Sequence, residues 1–220
     1  MGSQMIQIII LAGIALFLIY RLRNVLGTRE GFEKPRGVQA PAPGRRDRPF
    51  EVIEGGSGDV DITHYVELET PAGKALAAMK QIDPDFSVAE FAHGARAAYE
   101  MIVMAYENGD LATLRDYLAP EVFEPFREAI EARDAKGYTV EASFAGIREV
   151  KLLEAHFDPQ SNEADITMRF VGELTSVVRD PEGRIVEGAP NELKQQRDIW
   201  TFSRDMGSDN PNWLLTGTGS

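Results

Sequence analysis

An α+β fold is what this 220-residue sequence predicts, and three observations carry the prediction. From Thr70 to Gly137 apolar residues recur at helical spacing, after Gly137 the period shortens to two, and cap and turn residues separate the segments. Helices first and a mostly antiparallel sheet afterwards is the α+β order, with the longest helix packed on one sheet face.

At the N-terminal end, Met5 to Tyr20 (MIQIIILAGIALFLIY) holds one polar side chain, Gln7. Apolar character continues through Leu22, Val25 and Leu26, which brings the run near the roughly 20 residues that cross a bilayer. Apolar residues on every face of such a helix suit lipid rather than a soluble core. Arg21, Arg23 and Arg29 follow directly, where a cleavable signal would carry small residues. Residues 1–26 are therefore predicted to be a transmembrane anchor with a basic flank. Cations on its C-terminal side place the N-terminus outside and the rest in the cytoplasm, in a single pass.

Residues 27–70 read as a flexible basic linker, rich in Gly, Pro and Arg (GVQAPAPGRRDRP, then EGGSG). Eight basic residues against three acidic ones between Arg21 and Arg48 give about +5. Since the whole chain is −12, the part from Pro49 onward carries about −17. That excludes nucleic acid as a general partner.

Residues 71–220 form the predicted soluble domain. Thr70 caps and Pro71 opens a short helix through Leu76, Met79 and Ile82, which Asp83-Pro84-Asp85 breaks. Ser87 and Glu90 form a capping box for a long helix with apolar residues at Val88, Phe91, Ala92, Ala95, Tyr99, Ile102, Val103 and Tyr106. Asn108-Gly109-Asp110 stops it and caps a helix from Leu111 to Leu118. Pro120 starts another, lined by Val122, Phe123, Phe126 and Ile130, with a kink expected at Pro125 and a stop at Gly137. Strands follow: one or two over Val140 to Phe157, with a bulge expected at Gly146, then Ala164 to Val178, Gln195 to Met206, and Trp213 to Thr216.

The stretch from Phe86 to His156, FSVAEFAHGARAAYEMIVMAYENGDLATLRDYLAPEVFEPFREAIEARDAKGYTVEASFAGIREVKLLEAH, resembles the C-terminal domain of the mitochondrial import-motor subunit Tim forty-four. The N-terminal MIQIIILAGIALFLIYRLRNVLGTREGFE is similar to the TimA family, its membrane-anchored bacterial relatives. The resemblance implies a cone-shaped, nuclear-transport-factor-two-like domain, with helices packed in a curved sheet and an apolar pocket at the open end. It also implies an adaptor or scaffold at the bacterial inner membrane, linked to protein translocation or membrane-protein quality control, without an established reaction. The partners it implies are membrane lipid through the N-terminal helix and proteins of the translocon, chaperone or membrane-protein kind. Family members also meet anionic lipid through their first amphipathic helices, here about Ala72 to Ile82 and Ser87 to Tyr106, a contact that the negative domain charge opposes.

Chemistry is sparse. There is no cysteine, and His64, His93 and His156 lack ligand spacing, so no metal, cofactor or catalytic set is expected. Phe91, Tyr99, Val103, Phe144, Phe170, Trp200 and Trp213 are the residues expected to line the apolar pocket, each of them also at home in an ordinary core. Binding of lipid or a small apolar ligand there is the alternative to an adaptor. Isomerase-like chemistry, the third reading, rests on Tyr99 and Asp198, because enzymes of this fold place such groups in the pocket. The acids Glu124, Glu128 and Glu131 read as a solvated helix face or as a surface for a basic partner.

Overall fold

The computed structural model describes residues 57–219 of the chain. The expected anchor over residues 1–26, its arginines Arg21, Arg23 and Arg29, and the linker up to residue 56 lie outside the described residues. Among the described residues no helix is long and apolar enough to cross a membrane.

Helices precede strands, as the α+β reading requires. The order is α1 (Ser57–Thr63), α2 (Pro71–Ile82), α3 (Val88–Asn108), α4 (Leu111–Tyr117), α5 (Pro120–Ala135), then β1 (Thr139–Asp158), β2 (Glu163–Arg179), β3 (Ile185–Gly188), β4 (Lys194–Asp205) and β5 (Leu214–Gly219). The strands form one antiparallel sheet in the order β1-β2-β4-β5, with β3 paired to the far end of β2.

The caps follow the local chemistry. Gly73 N–H donates to Thr70 Oγ1 at 3.1 Å, Glu90 N–H to Ser87 Oγ at 3.3 Å, and Thr113 N–H to Asp110 Oδ1 at 3.1 Å. Gly109 (φ 70°) and Gly137 (φ 67°) take the left-handed conformation after their helices, which costs glycine nothing sterically. Pro125 sits inside α5 without ending it, and the helix continues to Ala135.

Alternation along β2 decides the core. Ala164, Ile166, Met168 and Phe170 are fully buried on one face, and Trp200 and Phe202 of β4 extend that face. Against it lies α3, whose Val88, Phe91, Ala92, Ala95, Tyr99, Ile102 and Val103 are all buried. Asp165 and Thr167 of β2, on the other face, pair across to Ser203 and Thr201 of β4 through hydroxyl contacts of 2.5 and 2.9 Å.

Three findings differ from the sequence reading. The linker assigned to residues 27–70 does not extend that far as loose chain, because α1 is helical and Ile62 is 1% exposed. Asp61 binds this segment to the domain: it accepts from Val88 N–H at 2.8 Å and Ala89 N–H at 2.9 Å and pairs with Lys80 at 2.7 Å. Second, Val140 to Phe157 belongs to one 20-residue strand, β1, whose three register shifts against β2 absorb its curvature. The shift between Phe144 and Gly146 is the expected bulge. Third, β3 had no counterpart in the sequence reading, since all four of its residues are exposed and show no alternation.

Candidate functional site

Among the described residues, aromatic side chains around α3 and β4 pack at two neighbouring places that meet at Phe202, and one of them borders a groove. The closed one centres on Tyr99 of α3, which is fully buried. Its ring stacks on Phe170 at 4.6 Å between centroids and 12° between planes, leans on Trp200 at 4.7 Å, and meets Phe144 edge-on at 6.2 Å. The hydroxyl donates to Asp198 Oδ2 at 2.6 Å, and Gln196 Nε2 donates to the other carboxylate oxygen at 3.1 Å. Gly172 of β2 makes room for the ring, because a Cβ there would lie 2.7 Å from the Tyr99 hydroxyl and 2.8 Å from the ring edge. Burial first, and then the adjacent Asp198 carboxylate, hold the phenol well above the ordinary tyrosine range. Such a phenol stays protonated at neutral pH and serves as a donor, not as a base.

The open place is a groove of about 740 Å³ at the N-terminal half of α3. The α2–α3 turn brings Asp83, Asp85 and Phe86 to it, α3 brings Glu90, Phe91, Gly94, Ala95 and Ala98, and the end of α4 brings Asp116 and Tyr117. Phe202 and Arg204 of β4, with Pro211, Asn212 and Trp213 of the β4–β5 connection, complete it. Its apolar floor is one contiguous cluster: Trp213 lies 4.7 Å from Phe91 and 5.9 Å from Phe86, and Phe91 lies 6.0 Å from Phe202. Arg204 is held by Asp83 at 3.0 Å and donates through Nε to the Asn210 carbonyl at 3.1 Å.

Of the residues expected to line a pocket, Phe91 and Trp213 line this groove. Tyr99, Phe170 and Trp200 lie in the closed cluster, Val103 is buried in the core, and Phe144 is half-buried against it. Neither Tyr99 nor Asp198 borders the groove. Phe86, Tyr117 and the acids Asp85, Glu90 and Asp116 were not singled out as site residues, although Phe86 precedes the Ser87 cap and so occupies a position that packs back on its helix.

His64, His93 and His156 are all exposed and far apart in sequence, and no group of metal-holding side chains occurs among the described residues. On α5, Arg127 bridges Glu124 and Glu131, while Glu128 faces solvent.

Comparison with known proteins gives a consistent answer. Mitochondrial import inner membrane translocase subunit TIM44 of Rattus norvegicus is 23% identical over 144 residues, 65% of this chain and 31% of that protein. The Homo sapiens protein of the same name is 25% identical over the same shares, and TIM44-1 of Arabidopsis thaliana is 25% identical over 161 residues, 70% of this chain and 34% of its own. The chain spans about a third of the length of the curated relatives it matches. The solved intermembrane space region of the chloroplast protein ARC6 covers 58% of this chain and 94% of its own at 9% identity and a TM-score of 0.39, a likeness too slight to bear on the fold. The Tim44-like domain profile, in contrast, matches residues 72–220, from the first turn of α2 to the C-terminus, and on that match the chain belongs to the Tim44-like domain family.

Proposed function

We propose that this chain is a membrane-anchored, non-catalytic adaptor of the TimA kind. In this reading it sits at the bacterial inner membrane with its domain in the cytoplasm, and it holds a segment of another protein during protein translocation or membrane-protein quality control. The family relation supports the link to translocation, since the relatives are named as subunits of an inner membrane translocase. The apolar run from Met5 to Tyr20 with Arg21, Arg23 and Arg29 behind it supports the anchor and its orientation. Helices packed in a curved sheet, in the nuclear-transport-factor-two-like manner, are part of the same proposal.

The observation that carries the adaptor role is the groove. Trp213, half-buried over the buried rings of Phe86 and Phe91 and facing a concave surface, offers the kind of anchor site against which a partner's side chains bury. Its partly buried ion pair, Asp83 with Arg204, fixes the α2–α3 turn to β4. The test is affinity isolation of the detergent-solubilised full chain, beside a version lacking residues 1–26 and a Phe91→Ala/Trp213→Ala variant. Translocon or chaperone components enriched with the full chain and lost with both variants support the proposal. Identical partner lists for all three would overturn it.

A second reading, binding of an acyl chain or small apolar ligand, is favoured by the same aromatic floor. Native mass spectrometry of the purified chain decides it by the presence or absence of retained lipid mass.

A further inference from the structure

We infer that α1 is a strap: it opens and closes as a unit on the domain, and its closing orders the first turn of α3. This holds whatever the groove binds.

The family match begins at residue 72, so α1 lies ahead of it. Yet α1 supplies acceptors that α3 lacks. A helix leaves its first N–H groups without partners in its own turn, and where they are shielded from water they must find them elsewhere. In α3 these are the N–H groups of Val88, Ala89 and Glu90. Ser87, the helix's own cap, accepts only from Glu90, at 3.3 Å. The other two donate to the carboxylate of Asp61, Val88 to Oδ2 at 2.8 Å and Ala89 to Oδ1 at 2.9 Å. Ser87 Oγ also donates to Asp61 Oδ1, at 3.4 Å. Lys80 of α2 holds the same carboxylate at 2.7 Å, and the two side chains of that pair are only 18% and 14% exposed. Three helices thus meet on one side chain, and withdrawing α1 strands Lys80 and two amides together.

Little else holds α1 down. Seven residues are too few for a helix to persist in isolation. Val60 is 71% exposed and Ile62 only 1%, so Ile62 is its apolar anchor. Behind α1 the chain is seated more firmly. The backbone of Glu67 and Leu68 presses on α2 at Gly73, where a Cβ would overlap the Glu67 carbonyl oxygen, and Thr70 Oγ1 donates to that same oxygen at 2.6 Å. The hinge therefore falls between Thr63 and Glu67, and α1 swings while the turn behind it stays in place. An element with one buried anchor and one polar knot belongs to the least stable part of a fold and opens without the sheet. Because Ser87 and Glu90 line the groove, the strap governs the order of one of its walls.

Hydrogen exchange of the full chain in a non-ionic detergent tests this, read by mass spectrometry on fragments that separate Ile62–Val66, Val88–Phe91 and the strands β2 and β4. Ile62→Ala is the decisive variant, because it loosens α1 while leaving Asp61, Lys80 and every residue of α3 unchanged. Its Val88 and Ala89 amides are expected to exchange on the order of tenfold faster, together with those after Ile62, while β2 and β4 keep the protection of the parent. Asp61→Ala should give the same pattern, and Asp61→Asn a weaker one, since the amide retains an acceptor oxygen.

Faster exchange confined to the α1 fragment in Ile62→Ala would overturn the inference, since the first turn of α3 would then be ordered without the strap. An equal rise in β2 and β4 would overturn it as well, by making α1 part of the global unfolding unit. So would unprotected α1 amides in the parent chain.

Discussion

The two aromatic clusters of this domain use the same residue types and share the α3 helix, yet one is closed and the other open. Around Tyr99 the sheet packs against the helix, Gly172 lets the ring approach, and Asp198 accepts a hydrogen bond from its hydroxyl, so no space remains. Two turns earlier on α3, Phe91 faces the same β4 strand, but the α2–α3 turn and the β4–β5 connection stand apart and leave a groove. Aromatic content therefore does not distinguish a pocket from a core. What distinguishes them is whether a small residue lets the backbone close, and whether the surrounding connections carry charge that resists burial.

The largest effect should come from emptying the closed cluster. Tyr99→Ala removes a fully buried ring and is expected to cost about 4 kcal/mol in urea unfolding. Gly172→Ala tests the closure itself, and the steric conflict with Tyr99 should cost roughly 2 kcal/mol; combining it with Tyr99→Leu should cost less than the two changes added. At the groove the pattern inverts. Trp213→Ala removes a half-buried ring, so stability should fall by only about 1.5 kcal/mol, whereas the partners recovered by affinity isolation should be lost.

Asp61→Asn should give the smallest change, about 1 kcal/mol near neutral pH, because the amide keeps part of the bonding to the α3 N-terminus. Its pH dependence is the sharper reading. Burial alone would raise the Asp61 carboxyl, but Lys80 and the N–H groups of Val88 and Ala89 outweigh it and hold it below its ordinary 3.8. A depressed folded value means that the stabilisation is complete above the unfolded value and is lost as the pH falls below about 4 through the folded one. The urea midpoint of Asp61→Asn should accordingly converge on that of the parent in acid. A constant gap at all pH values would remove Asp61 from the account.

Local rules explain what was legible in the sequence. The α3 stripe was read residue by residue because helical spacing puts Val88, Phe91, Ala95, Tyr99 and Ile102 on one face whatever they pack against. Thr70, Ser87, Gly109 and Gly137 were equally plain, since each acts within four residues of itself. Missed features depended on distance. The partners of Asp61 on α3 lie 27 and 28 residues away, and nothing in SGDVDIT announces them. The groove is assembled from two connections and two helices that no periodicity relates, so only Phe91 and Trp213 of its lining were expected. Tyr99, Phe170 and Trp200, expected beside them in the pocket, pack together in the core instead, where Gly172 allows the Tyr99 ring its close approach.

The contacts of Asp61 also set how the domain meets mechanical force. Tension arriving along the chain from before Ser57 enters the fold at α1, and the Asp61 bonds to Val88, Ala89 and Lys80 are the first links that join α1 to the helices behind it. A short helix fixed by one carboxylate and by the burial of Ile62 thus ties the start of the described domain to the N-terminus of its longest helix, so a pull on the chain ahead of it is expected to load α3 before the sheet.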